Sequence, residues 1–232
     1  MDPHEDTPVA VVTGGSAGLG LALTKALIQD GWRVVTDARH ADVLAAATAA
    51  LPRVTAIAGD VTGPRHREQL ADAVRRLGRL DLLVHNASEL GPMLPLAEVG
   101  PDQLVEVLTT NLLAPLQLTQ LLLRQLSGSG GVLVGISSDA AVEHYPGWGT
   151  YAASKAALDH LVLTLAAEND LRGYAVDPGD LRTAMHQRAF PGEDISDRPL
   201  PESVVPHLLP LITGDRPSGR YRLADLVAEV AS

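Results

Sequence analysis

Short unbroken apolar runs alternate along this chain with longer stretches whose apolar positions return every three to four residues. Residues 9–12, 33–36, 54–57, 81–85, 131–136 and 174–176 read as strands, with a further strand at 219–223. Between them, residues 19–29, 41–50, 67–77, 102–126 and 151–168 read as helices. Strands without polar alternation are buried on both faces, and right-handed crossovers between them give a parallel sheet with helices on each side. The expected fold is therefore α/β, a doubly wound Rossmann-type sheet of about seven strands. No linker or internal repeat divides the chain, so residues 1–232 are expected to form a single domain.

Residues 190–210 break the pattern, with Pro191, Pro199, Pro201, Pro206 and Pro210 among acidic residues. So much proline excludes a central strand and a regular helix. Residues 184–210 are expected to be a substrate-covering loop segment with a short helix near 204–209.

Composition narrows the classes. Aromatic residues are 3 % of the chain against 46 % hydrophobic, so the core must be built from Ala, Val and Leu. No apolar run reaches the ~18 residues of a membrane span. The start, Met1 to Asp6, lacks the basic and apolar regions of a signal peptide, and cysteine is absent. A cytoplasmic protein is expected. A net charge of −10, spread along the chain, argues against nucleic acid or anionic membrane as partner. The eight histidines show no ligand spacing, so no metal site is expected.

Two motifs carry chemistry. Thr13-Gly14-Gly15-Ser16-Ala17-Gly18-Leu19-Gly20 lies between the first strand and the first helix. There, glycines allow a tight turn and close approach to a pyrophosphate, and the helix N-terminus offers N–H donors. Leu21-Ala22 follows where a P-loop needs Lys-Ser/Thr, so triphosphate hydrolysis is disfavoured. The second motif is Tyr151-Ala152-Ala153-Ser154-Lys155. Of eighteen basic residues only Lys25 and Lys155 are lysine, and a lysine four positions after a tyrosine shares its helix face. A phenol ionises near pH 10, so acting near pH 7 needs about 4 kcal/mol of preference for phenolate. A nearby ammonium in a dry cleft can supply much of that, making Tyr151 a general acid or base.

With these motifs in this order, residues 9–183 resemble the short-chain dehydrogenase/reductase family. The resemblance implies a catalytic tetrad. Ser138, thirteen residues before Tyr151, would hold the substrate oxygen, with Ser137 its structural neighbour. Asn111 would hold a water beside Lys155 for proton relay, and Lys155 would grip the nicotinamide ribose. The cofactor would be held by Thr13, Gly14, Ser16, Gly18, Leu19 and Gly20 in the turn, and by Tyr151 and Lys155. Asp60 and Val61 would lie at the adenine. Asn86 and Ala87, from His85-Asn86-Ala87-Ser88, would line the cleft. Pro178, Gly179 and Thr183, from a Pro-Gly-x-x-x-Thr motif, would lie at the carboxamide.

An acid at the end of the second strand selects NAD(H), and an arginine accepts the 2′-phosphate of NADP(H). By family register the selecting position is Ala38, Asp37 falls one residue early, and Arg39 stands where NADP-dependent relatives carry arginine. This favours NADP(H) over NAD(H). The expected activity is hydride transfer between nicotinamide and a ketone or secondary alcohol, on a small-molecule substrate. The alternative is a catalytically silent dinucleotide-binding sensor or assembly protein. The helices over 102–126 and 151–168 are apolar on more than one face, so a homodimer or homotetramer is expected.

Overall fold

The computed structural model describes residues 7–231, so the acidic start over residues 1–6 lies outside the described residues. All seven strands form one parallel sheet in the order β3-β2-β1-β4-β5-β6-β7. They are β1 (Val9–Val12), β2 (Arg33–Ala38), β3 (Val54–Ala58), β4 (Leu82–His85), β5 (Val132–Ile136), β6 (Arg172–Asp177) and β7 (Gly219–Arg222). The order reverses between β1 and β4, which opens a crevice at the carboxyl ends of those strands.

Alternation along each strand builds two cores. Ala10, Val12, Val34, Val84, Val134 and Val176 face a layer containing α1 (Gly18–Gln29), α8 (Pro201–Thr213) and α9 (Leu223–Ala231). Val9, Val11, Val35, Leu83 and Leu133 face α3 (Pro64–Leu77), α5 (Ala114–Gly128) and α6 (Gly149–Glu168). Strands apolar at every position are thus explained by burial from both sides. The helix α2 (Ala41–Thr48) connects β2 and β3.

Two expectations are corrected. The stretch expected as one helix over 102–126 is α4 (Pro101–Leu108), a π-helical turn at Thr109–Leu113, and α5. Asn111 sits in that turn, and its side chain is anchored outside the helix (below), which holds the backbone off a regular α-helical course. The proline-rich segment is also more ordered than composition allows for. A short helix α7 (Ala184–Ala189) is followed by irregular chain and then the thirteen-residue α8, with Pro206 and Pro210 inside it. Both prolines point outward and are exposed, so carbonyls left without a partner face water. On the opposite face Val205, Leu208, Leu211 and Ile212 are buried, and this packing outweighs the proline penalty.

Candidate active site

The glycine turn forms the near wall of the crevice. Gly14 has φ +72°, which an L side chain resists, and its N–H donates to Asp37 Oδ1 at 2.8 Å. A Cβ on Gly20 would collide with the Asn86 amide and the Gly14 carbonyl, so only glycine lets helix and strand approach this closely. Thr13 lies beneath the surface. Its Oγ1 accepts the N–H groups of Asn86 and Ala87, each at 3.0 Å, and thereby fixes the loop after β4. The Asn86 amide donates back to the Thr13 carbonyl at 2.8 Å. The first turn of α1 has no side-chain cap and no acidic residue, so its N–H donors are presented to the cleft without a competing anion. That arrangement fits the pyrophosphate of a dinucleotide.

The cleft, of about 390 Å³, is lined by Gly14, Ser16, Gly18 and Leu19, by Arg39, Asp60, Val61, Asn86 and Ala87, and by Pro178, Gly179 and Thr183. Ser138, Tyr151 and Lys155 line it as well. Thr13, Gly20 and Asn111 do not reach its surface. Their places are one layer down, where they hold residues that do.

Asp37 is buried, with both oxygens committed: Oδ1 to Gly14 and Oδ2 to His66 Nε2 at 2.8 Å. Ala38 offers no acid, and Arg39, its side chain 60 % exposed, stands at the rim 3.6 Å from Glu89. Asp60 turns to Thr62, accepting its N–H and hydroxyl. Burial works to raise the Asp60 pKa, but the Thr62 hydrogen bonds and the Arg39 and His66 charges prevail and lower it.

Tyr151 and Lys155 lie one turn apart on α6, both buried, with Lys155 Nζ 5.5 Å from the phenol ring centre. Nζ donates to the Ile136 carbonyl at 2.7 Å. Burial lowers the Lys155 pKa to about 8, with Asp159 pulling it back up. Burial also raises the Tyr151 pKa, and the Asp139 and Asp177 charges raise it further, while the Ser88 and Ser138 hydroxyls pull it down. In the protein alone desolvation is the largest influence on the phenol.

Ser138 follows β5 in extended backbone and caps the short turn Asp139–Ala141, accepting the Ala140 N–H at 3.2 Å. Ser137 turns away and donates to Asp159 Oδ2 at 2.8 Å. Asn111 is saturated. Its Oδ1 accepts from Glu89 N–H at 2.7 Å and Ser88 Oγ at 3.2 Å, and its Nδ2 donates to the Glu89 carbonyl and Ser154 Oγ. No capacity remains in that side chain for a water. His85 is buried and hydrogen-bonded to Thr119 at 2.8 Å, and burial lowers its pKa to about 3. Ser88 and Ser138 thus flank a neutral phenol, and Trp148 covers it edge-on, with ring centres 5.9 Å apart.

Sequence reading missed the Asp37–His66 pair, the Asp159 carboxylate and the contacts of Arg220. Asp159 had a signal, since it continues the Tyr151-Lys155 face at the next helical turn. The others are brought into place only by tertiary structure: the packing of α3 on β2 for His66, and strand order for Arg220.

Comparison with known proteins agrees with this geometry. Residues 8–194 match the sequence profile of the short chain dehydrogenase family. The oxidoreductase YciK of Escherichia coli (strain K12) is 33 % identical over 225 residues, covering 89 % of this chain and 86 % of YciK. L-xylulose reductase of Bos taurus is 33 % identical over 186 residues, covering 78 % and 75 %. A short chain dehydrogenase of Shigella flexneri 2a str. 301, solved in complex with NADP, superposes with TM-score 0.83 at 30 % identity, covering 94 % of this chain and 97 % of that one. One from Escherichia coli CFT073, complexed with NADPH, gives 0.84 at 30 % identity, covering 93 % and 96 %. With the glycine turn, the seven-stranded parallel sheet and the buried Tyr-Lys pair around one cleft, this chain belongs to the short-chain dehydrogenase family of oxidoreductases.

Proposed function

We propose that the protein is an NADP(H)-dependent oxidoreductase interconverting a ketone and a secondary alcohol, with Tyr151 as general acid and base. One observation carries this reading: the buried Tyr151 phenol opens on the same cleft as an uncapped helix N-terminus, and Ser88 and Ser138 line that cleft with it. When bound, the nicotinamide supplies or accepts hydride at the substrate carbon. The chain's own residues do the rest. Ser138 Oγ holds the carbonyl oxygen in line with the phenol, and Tyr151 Oη gives that oxygen its proton as it becomes an alcohol. The Lys155 ammonium holds the ribose hydroxyls and stabilises the phenolate left behind. Any relay from Lys155 through Asn111 must use the Asn111 backbone carbonyl, because the side chain is saturated.

Cofactor choice follows from Asp37. Asp37 is almost wholly buried and each of its oxygens already holds a hydrogen bond, which disfavours it as a ribose acceptor and favours Arg39 at the rim meeting a 2′-phosphate. The NADP- and NADPH-bound relatives support the same reading. The substrate end carries Trp148, Met185 and His186. Rings of Tyr145, Trp148, Tyr151 and Phe190 form one connected cluster, which favours a partly apolar substrate. Among the described residues no helix is long and apolar enough to cross a membrane, and we place the enzyme in the cytoplasm as a homodimer or homotetramer.

The test is oxidation of NADPH with a panel of ketones and aldehydes, followed by dihydronicotinamide absorbance. Tyr151→Phe should lower kcat by about 10²–10⁴-fold while leaving NADPH binding intact. Tight NADPH binding with no turnover of any carbonyl would replace this reading with that of a dinucleotide sensor.

A further inference from the structure

Behind the catalytic side chains, three consecutive residues at the end of β5 are gripped by three different partners. Lys155 Nζ donates to the Ile136 carbonyl at 2.7 Å. Asp159 Oδ2 accepts from Ser137 Oγ at 2.8 Å. Arg220, the second residue of β7, donates from a terminal nitrogen to the Ser138 carbonyl at 2.8 Å. The Arg220 Nε donates to Asp159 Oδ2 at 3.1 Å, and the terminal nitrogen lies 3.5 Å from Asp177 Oδ2. Asp177 in turn accepts the Gly179 N–H at 3.0 Å through its other oxygen. One guanidinium therefore ties together the ends of β5 and β6, the middle of α6 and, through Asp177, the Pro178-Gly179 turn.

The charges around it make this contact more than a brace. Asp159 (α6) and Asp177 (β6) are both buried, Asp177 to 3 % exposure. Facing them are Lys155 from α6, and Arg220 and the largely exposed Arg222 from β7, while Asp139, from the turn after β5, acts on Tyr151. Asp177 opposes ionisation of Tyr151, and a buried carboxylate beside a phenol that must lose a proton hinders the chemistry unless a cation offsets it. The fork of an arginine can meet a carbonyl and two carboxylates at once, which a lysine ammonium cannot do with fixed geometry.

We infer that Arg220 is a positioning residue for the reaction: it fixes the Ser138 backbone that aims the serine hydroxyl and neutralises Asp159 and Asp177 beneath Tyr151 and Lys155. This rests on the proposed roles of Ser138 and Tyr151. Arg220 does not itself reach the cleft surface, so its loss is expected to fall mainly on the chemical step.

The experiment compares wild type, Tyr151→Phe, Arg220→Met and Arg220→Lys. Arg220→Met should lower kcat about 10- to 100-fold, the weight of one or two charge-assisted hydrogen bonds, with a much smaller change in NADPH affinity. In alcohol oxidation, which needs the phenolate, the rising limb of the pH–rate profile should move to higher pH, since removing a cation disfavours the anion. The Tyr151 phenolate absorbance, read in the protein without cofactor as the difference from Tyr151→Phe, should shift the same way. Arg220→Lys should restore the pH limb and only part of kcat. Folded Arg220→Met with wild-type kcat and pH profile would overturn the inference. If Arg220→Met does not fold, Arg220→Lys decides: reduced kcat supports the inference, and wild-type kcat overturns it. Full activity in Tyr151→Phe would instead sink the reading of the site itself.

Discussion

Asp37 illustrates how one buried side chain can settle a cofactor groove. Its carboxylate takes the Gly14 N–H at the point where the backbone enters positive φ, and a histidine from α3 satisfies the other oxygen. Replacing it by alanine leaves a buried N–H and a buried imidazole without their partner, at about 1–3 kcal/mol. Asp37→Ala should therefore raise the NADPH dissociation constant by about tenfold or more, read by fluorescence titration, with kcat at saturation little changed. A wild-type dissociation constant would show that the turn holds itself. At the same scale, Tyr151 and Lys155 were legible as a pair from their spacing, whereas their protonation was not. Desolvation is a property of everything packed around a residue, and here it sets the phenol high and the ammonium low.

Between elements, the contact of β4 with α5 carries a pH dependence. His85 is neutral in the folded protein down to about pH 3, while a histidine in an unfolded chain takes up its proton near 6.5. Between those values the unfolded chain binds the extra proton. Stability is therefore whole above about pH 6.5 and falls as pH drops toward 3, by up to about 5 kcal/mol from this group alone. Urea unfolding of His85→Asn should show this acid loss flattened relative to wild type. Equal slopes in the two proteins would place the acid sensitivity elsewhere. Helices α4 and α8 mark where local pattern misled. The continuous periodicity over 102–126 hides a π-helical turn that only the anchoring of Asn111 on the loop after β4 explains. Pro206 and Pro210 read as helix breakers, yet both lie on a solvent face while four apolar residues bind the other face to the core.

For the whole molecule, apolar positions remain uncovered on the layer of α4, α5 and α6. Val105 in α4 is 58 % exposed and Leu113, at the end of the π-helical turn, 43 %. We take this as the face that a second copy covers. Leu113→Glu should shift the protein toward monomer in analytical ultracentrifugation, and a wild-type protein already monomeric at micromolar concentration would refute the assignment.

The sequence by itself determined the class of fold, because apolar strands alternating with helices leave few solutions other than a parallel sheet covered on both faces. It also determined the glycine turn and the Tyr-x-x-x-Lys helix, since both are local patterns whose geometry is set within a few residues. Tertiary structure alone decided the rest. Strand order set β7 beside β6 and so delivered Arg220 to Ser138, and the packing of α3 on β2 delivered His66 to Asp37. Burial, which no single residue carries in its name, pushed the Tyr151 pKa up and the Lys155 pKa down.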